Sequence, residues 1–236
     1  MKAGMGRALR RAFRQDDLLA NIVPRRAGAS SQLMHPVRMA MFARSTFRPC
    51  SCLRSLARSS GVSAPVAARH LARMEASGLI TSAKLGNRKV FAPLGMVDPH
   101  DTAVFSLLSE DAPRKALRQI VLGSAPNQRT LARKLRTYQQ EASLVLAGLA
   151  GAELLEVRRA GREARYSPSV KLLEMAEFYE RREPGFRAWL LSALDSDGVA
   201  PRAVGKRAGT VVIEADRGES RVQVVFQTHP LSDVLR

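Results

Sequence analysis

Two stretches of the sequence, 75 positions apart, carry the same skeleton of hydrophobic, glycine and proline residues. The first runs Leu56-Ala57-Arg58, then Leu71, Ala72, Met74, Leu79-Ile80, Gly86, Phe91 and Pro93. The second runs Leu131-Ala132-Arg133, then Leu146, Ala147, Leu149, Leu154-Leu155, Gly161, Tyr166 and Pro168. The match needs no gap from Leu56 to Pro93, which points to a duplicated unit. Each copy is patterned as helix, turn, helix, strand, glycine turn, strand.

That order is the plan of a winged helix-turn-helix. The fold class predicted is therefore mainly α with small β-hairpin wings, an α+β chain with tandem winged helix-turn-helix domains. The first domain spans 31–96. Pro36 opens a helix, Ser51 to Ser60 form a second that Gly61 ends, and Ser63 caps a third with Pro65 in its first turn. Gly78 stops that helix, and Leu79 to Lys84 pair with Lys89 to Ala92 around Gly86-Asn87. The second domain, 101–168, repeats the plan from a helix near Pro113 to a hairpin tip at Gly161-Arg162. Residues 169–197 read as C-terminal helices broken at Pro184-Gly185. Residues 198–236 read as a linker to Gly209 and a terminal β-hairpin, Thr210–Asp216 with Arg221–Gln227. Residues 1–30 read as a basic N-terminal arm.

Charge names the partner. The formal net charge is +17 and uneven: residues 1–30 and 31–100 carry +5 and +8, residues 101–170 carry +4, and residues 171–236 are neutral. Such a gradient draws a polyanion to the first two fifths of the chain. Cys50 and Cys52 are the only cysteines, too close for a framework of bridges, and no apolar run approaches the ~18 residues that span a bilayer. The expected location is the cytoplasm, with the nucleoid. There is no phosphate-binding or dinucleotide glycine motif and no zinc-protease motif, and carboxylates are scarce in the basic half, so no enzyme is expected.

On the helix after Ser63, Ala67, Leu71 and Met74 form the buried stripe, and Ala68, Arg69, Ala72 and Arg73 point away from it. Small residues around two arginines let such a face approach the major groove closely, where a guanidinium pairs with guanine N7 and O6. Ala68, Arg69 and Arg73 are thus the candidate base readers. Ser63, Lys84, Arg88 and Lys89 are candidates for backbone and wing contacts, which fix register and add salt-dependent affinity.

From Leu56-Ala57 through Gly61-Val62-Ser63-x-Pro65-x-x-x-Arg69-His70-Leu71 to Gly78-Leu79, with His35-Pro36-Val37-Arg38 before it, the sequence resembles the ArsR-type winged-helix repressors. The resemblance covers about 33–94 and implies a dimeric or pseudo-dimeric prokaryotic transcription regulator. Metal-sensing members of that family carry a Cys-x-Cys pair at the start of the second helix. Here Cys50-Ser51-Cys52 is displaced by two residues and lacks further soft ligands, so neither a metal, a cofactor nor a small-molecule effector is expected.

The second copy has lost the reading chemistry. The 75-residue offset replaces Pro65, Val66, Arg69 and Arg73 by Gln140, Glu141, Leu144 and Gly148. This helix suits packing against protein, its own counterpart in a homodimer included. Arg158, Arg159, Arg162 and Arg165 in its wing remain candidates for backbone contacts, with Arg129, Arg133, Lys134 and Arg136 on the helix before.

The function expected is sequence-specific binding of double-stranded DNA by a transcriptional regulator. The alternatives are a nonspecific architectural DNA-binding protein and a plasmid-type replication initiator.

Overall fold

The computed structural model describes residues 33, 35–123, 127–160, 163–197, 202–207, 209–217 and 220–235. The expected arm at 1–30 and the second hairpin tip, Gly161-Arg162, lie outside them.

The chain is α+β, helices with small antiparallel sheets. Its first part comprises α1 (Pro36–Phe47), β1 (Ser51–Cys52), α2 (Leu53–Ser59), α3 (Ala64–Ala76), β2 (Ile80–Leu85) and β3 (Arg88–Pro93). Pro36 stands in the first turn of α1, and the His35 ring caps it by accepting the Val37 amide at 3.2 Å. The second helix begins later than the sequence predicts. Cys50 turns into the left-handed region (φ +59°), and Ser51 and Cys52 are extended to pair with Phe91 and Val90. The short β1 thereby joins the sheet, in the order β1-β3-β2.

A single 3₁₀ turn (Pro99–Asp101) leads to α4 (Thr102–Ser109), α5 (Asp111–Val121), α6 (Gln128–Leu135), α7 (Gln139–Gly151), β4 (Leu155–Ala160) and β5 (Glu163–Pro168). The duplication extends to the backbone. Helices α3 and α7, strands β2 and β4, and strands β3 and β5 all begin and end 75 positions apart. The Cys52↔Val90 pair recurs as the isolated bridge Asn127↔Arg165. The helix ends recur as well. Gly61 (φ +66°) and Gly78 (φ +75°) follow α2 and α3, with the Val62 and Leu79 amides returning to the Ala57 and Met74 carbonyls at 3.1 and 2.9 Å. At the matching positions Arg136 (φ +53°) and Glu153 (φ +59°) hold the same left-handed turn, and Thr137 and Leu154 bond Ala132 and Leu149 at 3.0 Å.

The C-terminal part departs from its pattern twice. Residues 170–196 form one helix, α8 (Val170–Ser196), with Pro184 inside it. A helix-interior proline costs about 3 kcal/mol. Burial of Tyr179 and Arg182 before it, and of Phe186 and Leu190 after it, keeps the helix continuous through Pro184. The stretch expected as linker contains β6 (Arg202–Arg207), which pairs with β7 (Thr210–Arg217). With β8 (Ser220–Gln227) the terminal element is a three-stranded sheet, not a hairpin. A final turn, α9 (Ser232–Leu235), closes the chain.

Two cores result, and β3 lies between them. Phe91 joins Met41, Phe42, Leu56, Ala67, Leu71 and Met74, whereas its neighbours Val90 and Ala92 join Phe105, Leu108, Leu117, Leu131, Leu146 and Leu149. Alternation along one strand thus feeds both cores. Helix α8 spans the same pair, with Leu172, Met175 and Tyr179 in the second core and Leu190 and Leu194 in the first. The terminal sheet covers the first core with Val211, Ile213 and Phe226, and Leu231 and Val234 return to the second. Among the described residues no helix is long and apolar enough to cross a membrane.

Candidate nucleic-acid interface

Helix α3 is oriented by its apolar stripe. Ala67, Leu71 and Met74 are buried, which leaves Ala68, Arg69, Ala72 and Arg73 exposed on the outer face. Ser63 is the extended residue before it, but its side chain makes no capping bond, contrary to the sequence expectation. The exposed hydroxyl stands at the head of the helix, beside amides with no intrahelical partner.

In the hairpin, β2 and β3 pair Lys84 with Lys89 and Leu85 with Arg88. Lys84, Arg88 and Lys89 are all exposed. Cross-strand partners share a face, so Lys84 and Lys89 stand side by side. Their repulsion is relieved by a carboxylate not anticipated from the sequence. Glu75, in the last turn of α3, accepts a bond from Lys89 Nζ at 3.0 Å, and its other oxygen accepts the Ser82 hydroxyl. The Lys89 ammonium also lies 5.2 Å from the centre of the Phe91 ring. The Ser82 bond, with Lys89 beyond it, holds the Glu75 carboxyl below its ordinary range despite partial burial. No ion pair engages Arg69, Arg73, Lys84 or Arg88 among the described residues.

Behind the outer face, the rings of His70 and His35 lie 4.7 Å apart. Burial, then the His35 ring and Arg38, Arg73 and Arg69, push the His70 pKa below its ordinary value. His70 is therefore neutral at pH 7, and its Nδ1 is buried without a hydrogen bond among the described residues.

On the second repeat, Arg158, Arg159 and Arg165 are exposed, whereas Arg162 lies outside the described residues. Arg158 faces Arg165 across the hairpin, and the Asn127↔Arg165 bridge sets that pair beside the start of α6. Arg129, Arg133, Lys134 and Arg136 are exposed along α6 and its end. The outer face of α7 carries Gln140, Glu141, Ser143 and Leu144 instead of arginines, with Leu144 74% exposed and Tyr138 before it 80% exposed.

The two thiols differ. Cys50 is buried in the second core, and burial, with Asp101 nearby, pushes its pKa up to about 12, so it carries no thiolate at neutral pH. Cys52 is half-buried at the head of α2. No group of three His, Cys, Asp or Glu side chains suited to a metal occurs among the described residues.

The chain matches no family model, and no curated protein matches it significantly.

Proposed function

We propose that the protein is a double-stranded DNA-binding transcriptional regulator built from tandem winged helix-turn-helix units, of which the first reads sequence. The observation that carries this reading is the outer face of α3. Two arginines at i,i+4, Arg69 and Arg73, stand exposed beside Ala68 and Ala72, next to a hairpin that presents Lys84 and Arg88. Small residues permit close approach, and a guanidinium fork suits guanine N7 and O6. Arg69 and Arg73 are assigned to base edges, and Ala68 to the close approach beside them. Ser63, Lys84, Arg88 and Lys89 are assigned to the backbone. The resemblance to ArsR-type repressors over about 33–94 supports the same assignment.

The second unit contributes differently. Arg158, Arg159, Arg162 and Arg165 touch phosphates without specifying sequence, and exposed Leu144 and Tyr138 suit protein packing in a homodimer. Selection of bound duplexes from a random pool tests the reading: an enriched motif supports it. A pool that stays flat at moderate salt supports instead an architectural protein, a reading favoured by the exposed arginines of α6 and the second hairpin.

A further inference from the structure

Residues 31–100 hold ten basic groups and two carboxylates, Glu75 and Asp98. One of those two, Glu75, sits where the exposed helix meets the exposed hairpin. It joins the last turn of α3 to both strands, through Ser82 on β2 and Lys89 on β3. The second repeat has no such junction. At the 75-residue offset Glu75, Ser82 and Lys89 become Ala150, Val157 and Ala164, three side chains that can neither pair nor hydrogen-bond. The clamp therefore belongs to the copy whose outer helix face kept its arginines.

We propose that Glu75 is a specificity-determining positioning residue: it fixes the hairpin against the reading helix and withdraws the Lys89 charge from nonspecific phosphate contact. This rests on the DNA-binding reading above and refines it, since Lys89 becomes a latent rather than a standing backbone contact. Two consequences follow from the geometry. A hairpin tied by both strands to the helix that carries Arg69 and Arg73 presents one register of base and phosphate contacts. A lysine held at 3.0 Å by a carboxylate and seated over Phe91 adds little to the indiscriminate attraction that an uncommitted lysine supplies.

The test measures binding to the selected duplex and to a scrambled duplex across a salt series for four proteins: wild type, E75Q, K89M and E75Q/K89M. Gln retains an oxygen for Ser82 but carries no charge to hold Lys89. Expected for E75Q is tighter binding to the scrambled duplex, a slope of log affinity against log salt steeper by about 0.9, and a selected-to-scrambled ratio lower by up to about fivefold. Adding K89M to E75Q should cancel the gain in the double variant. A gain that survives K89M is a general charge effect and overturns the assignment, as does an E75Q protein indistinguishable from wild type. Wild-type protein that binds no duplex at any salt overturns the DNA-binding reading, and this assignment with it.

Discussion

Arg114 and Asp233 form a two-pronged ion pair that ties the chain end to the second core: Nε meets Oδ2 at 2.7 Å and Nη2 meets Oδ1. Arg114 is almost wholly buried, and its Nη2 also donates to the Pro230 carbonyl at 2.8 Å. Asp233 further receives Arg48 Nη1 from the first repeat at 3.1 Å and Gln227 Nε2 at 3.3 Å. One carboxylate near the C-terminus thus joins residues of both repeats.

The first prediction is that Asp233→Ala destabilises the whole protein. Removing one member of a buried pair leaves the other charged and desolvated, a cost of about 3–5 kcal/mol. The low end is expected, because the Asp233 side chain is itself 38% exposed. Burial alone would raise the Asp233 pKa, but the bond and charge of Arg114, with Arg48, hold it below the ordinary value. A carboxyl depressed in the folded state stabilises above its ordinary pKa and loses that contribution as pH falls through the carboxylate range. Urea melts at pH 7 and pH 3.5 should show a smaller gap between wild type and variant at the lower pH. An equal gap at both would detach the pair from acid stability.

The left-handed helix ends give a second prediction, with opposite signs in the two repeats. Gly61→Ala should destabilise by about 1 kcal/mol, since L-residues are strained at φ +66°. An added Cβ there meets nothing within 4 Å, so the cost is backbone strain alone. Arg136→Gly, at the matching position with φ +53°, should stabilise by a similar amount. Chemical denaturation of both variants decides it, and changes of the same sign would break the equivalence.

Histidine burial sets the third. Burial lowers the His229 pKa against the opposing pull of the Ala176 carbonyl and of Glu180 and Glu183. The ring is held neutral: the Leu231 amide donates to Nδ1 at 3.1 Å, and Nε2 lies 3.3 Å from the Ala176 carbonyl. The unfolded chain takes up a proton near its ordinary pKa of about 6.5 while the folded chain resists it, so stability falls as pH drops below that value. His70 contributes with the same sign. Comparing unfolding free energies at pH 7.5 and 5.5, His229→Asn should lose part of the wild-type dependence. A variant with the full dependence would assign it elsewhere.

The repeat skeleton carried most of the fold because its landmarks are local. Gly78 marks a left-handed helix end, and the Leu71–Met74 spacing marks a buried face. What escaped it depended on distant partners. Strand β6 reads as linker from sequence because Arg202, Gly205, Lys206 and Arg207 show no alternation, and β7 supplies the pairing. Pro184 reads as a break because its local cost is visible in sequence, whereas the burial of Tyr179 and Phe186 on either side is not. The exposure of Arg69 and Arg73 is legible from the helical period, and that of Lys84 and Arg88 from their place at the hairpin tip. The engagement of Lys89 was not, because Glu75 meets it only once the hairpin folds back on α3.

The last prediction separates the two repeats by their contacts with DNA. Arg69→Ala should weaken binding to the selected duplex more than Arg165→Ala does, and should relax preference at one base pair. Arg69 stands exposed on the outer face of α3, whereas Arg165 stands on a hairpin whose neighbouring helix carries Leu144 and Gly148 where arginines would be needed. Loss of a bidentate guanine contact costs about 1–3 kcal/mol on the specific site alone. Loss of a phosphate contact weakens binding to all duplexes alike and lowers the salt slope by about 0.9. Affinities for the selected and scrambled duplexes, measured for both variants across a salt series, distinguish these outcomes. If Arg165→Ala alters base preference as Arg69→Ala does, both repeats read sequence, and the division of labour between them falls.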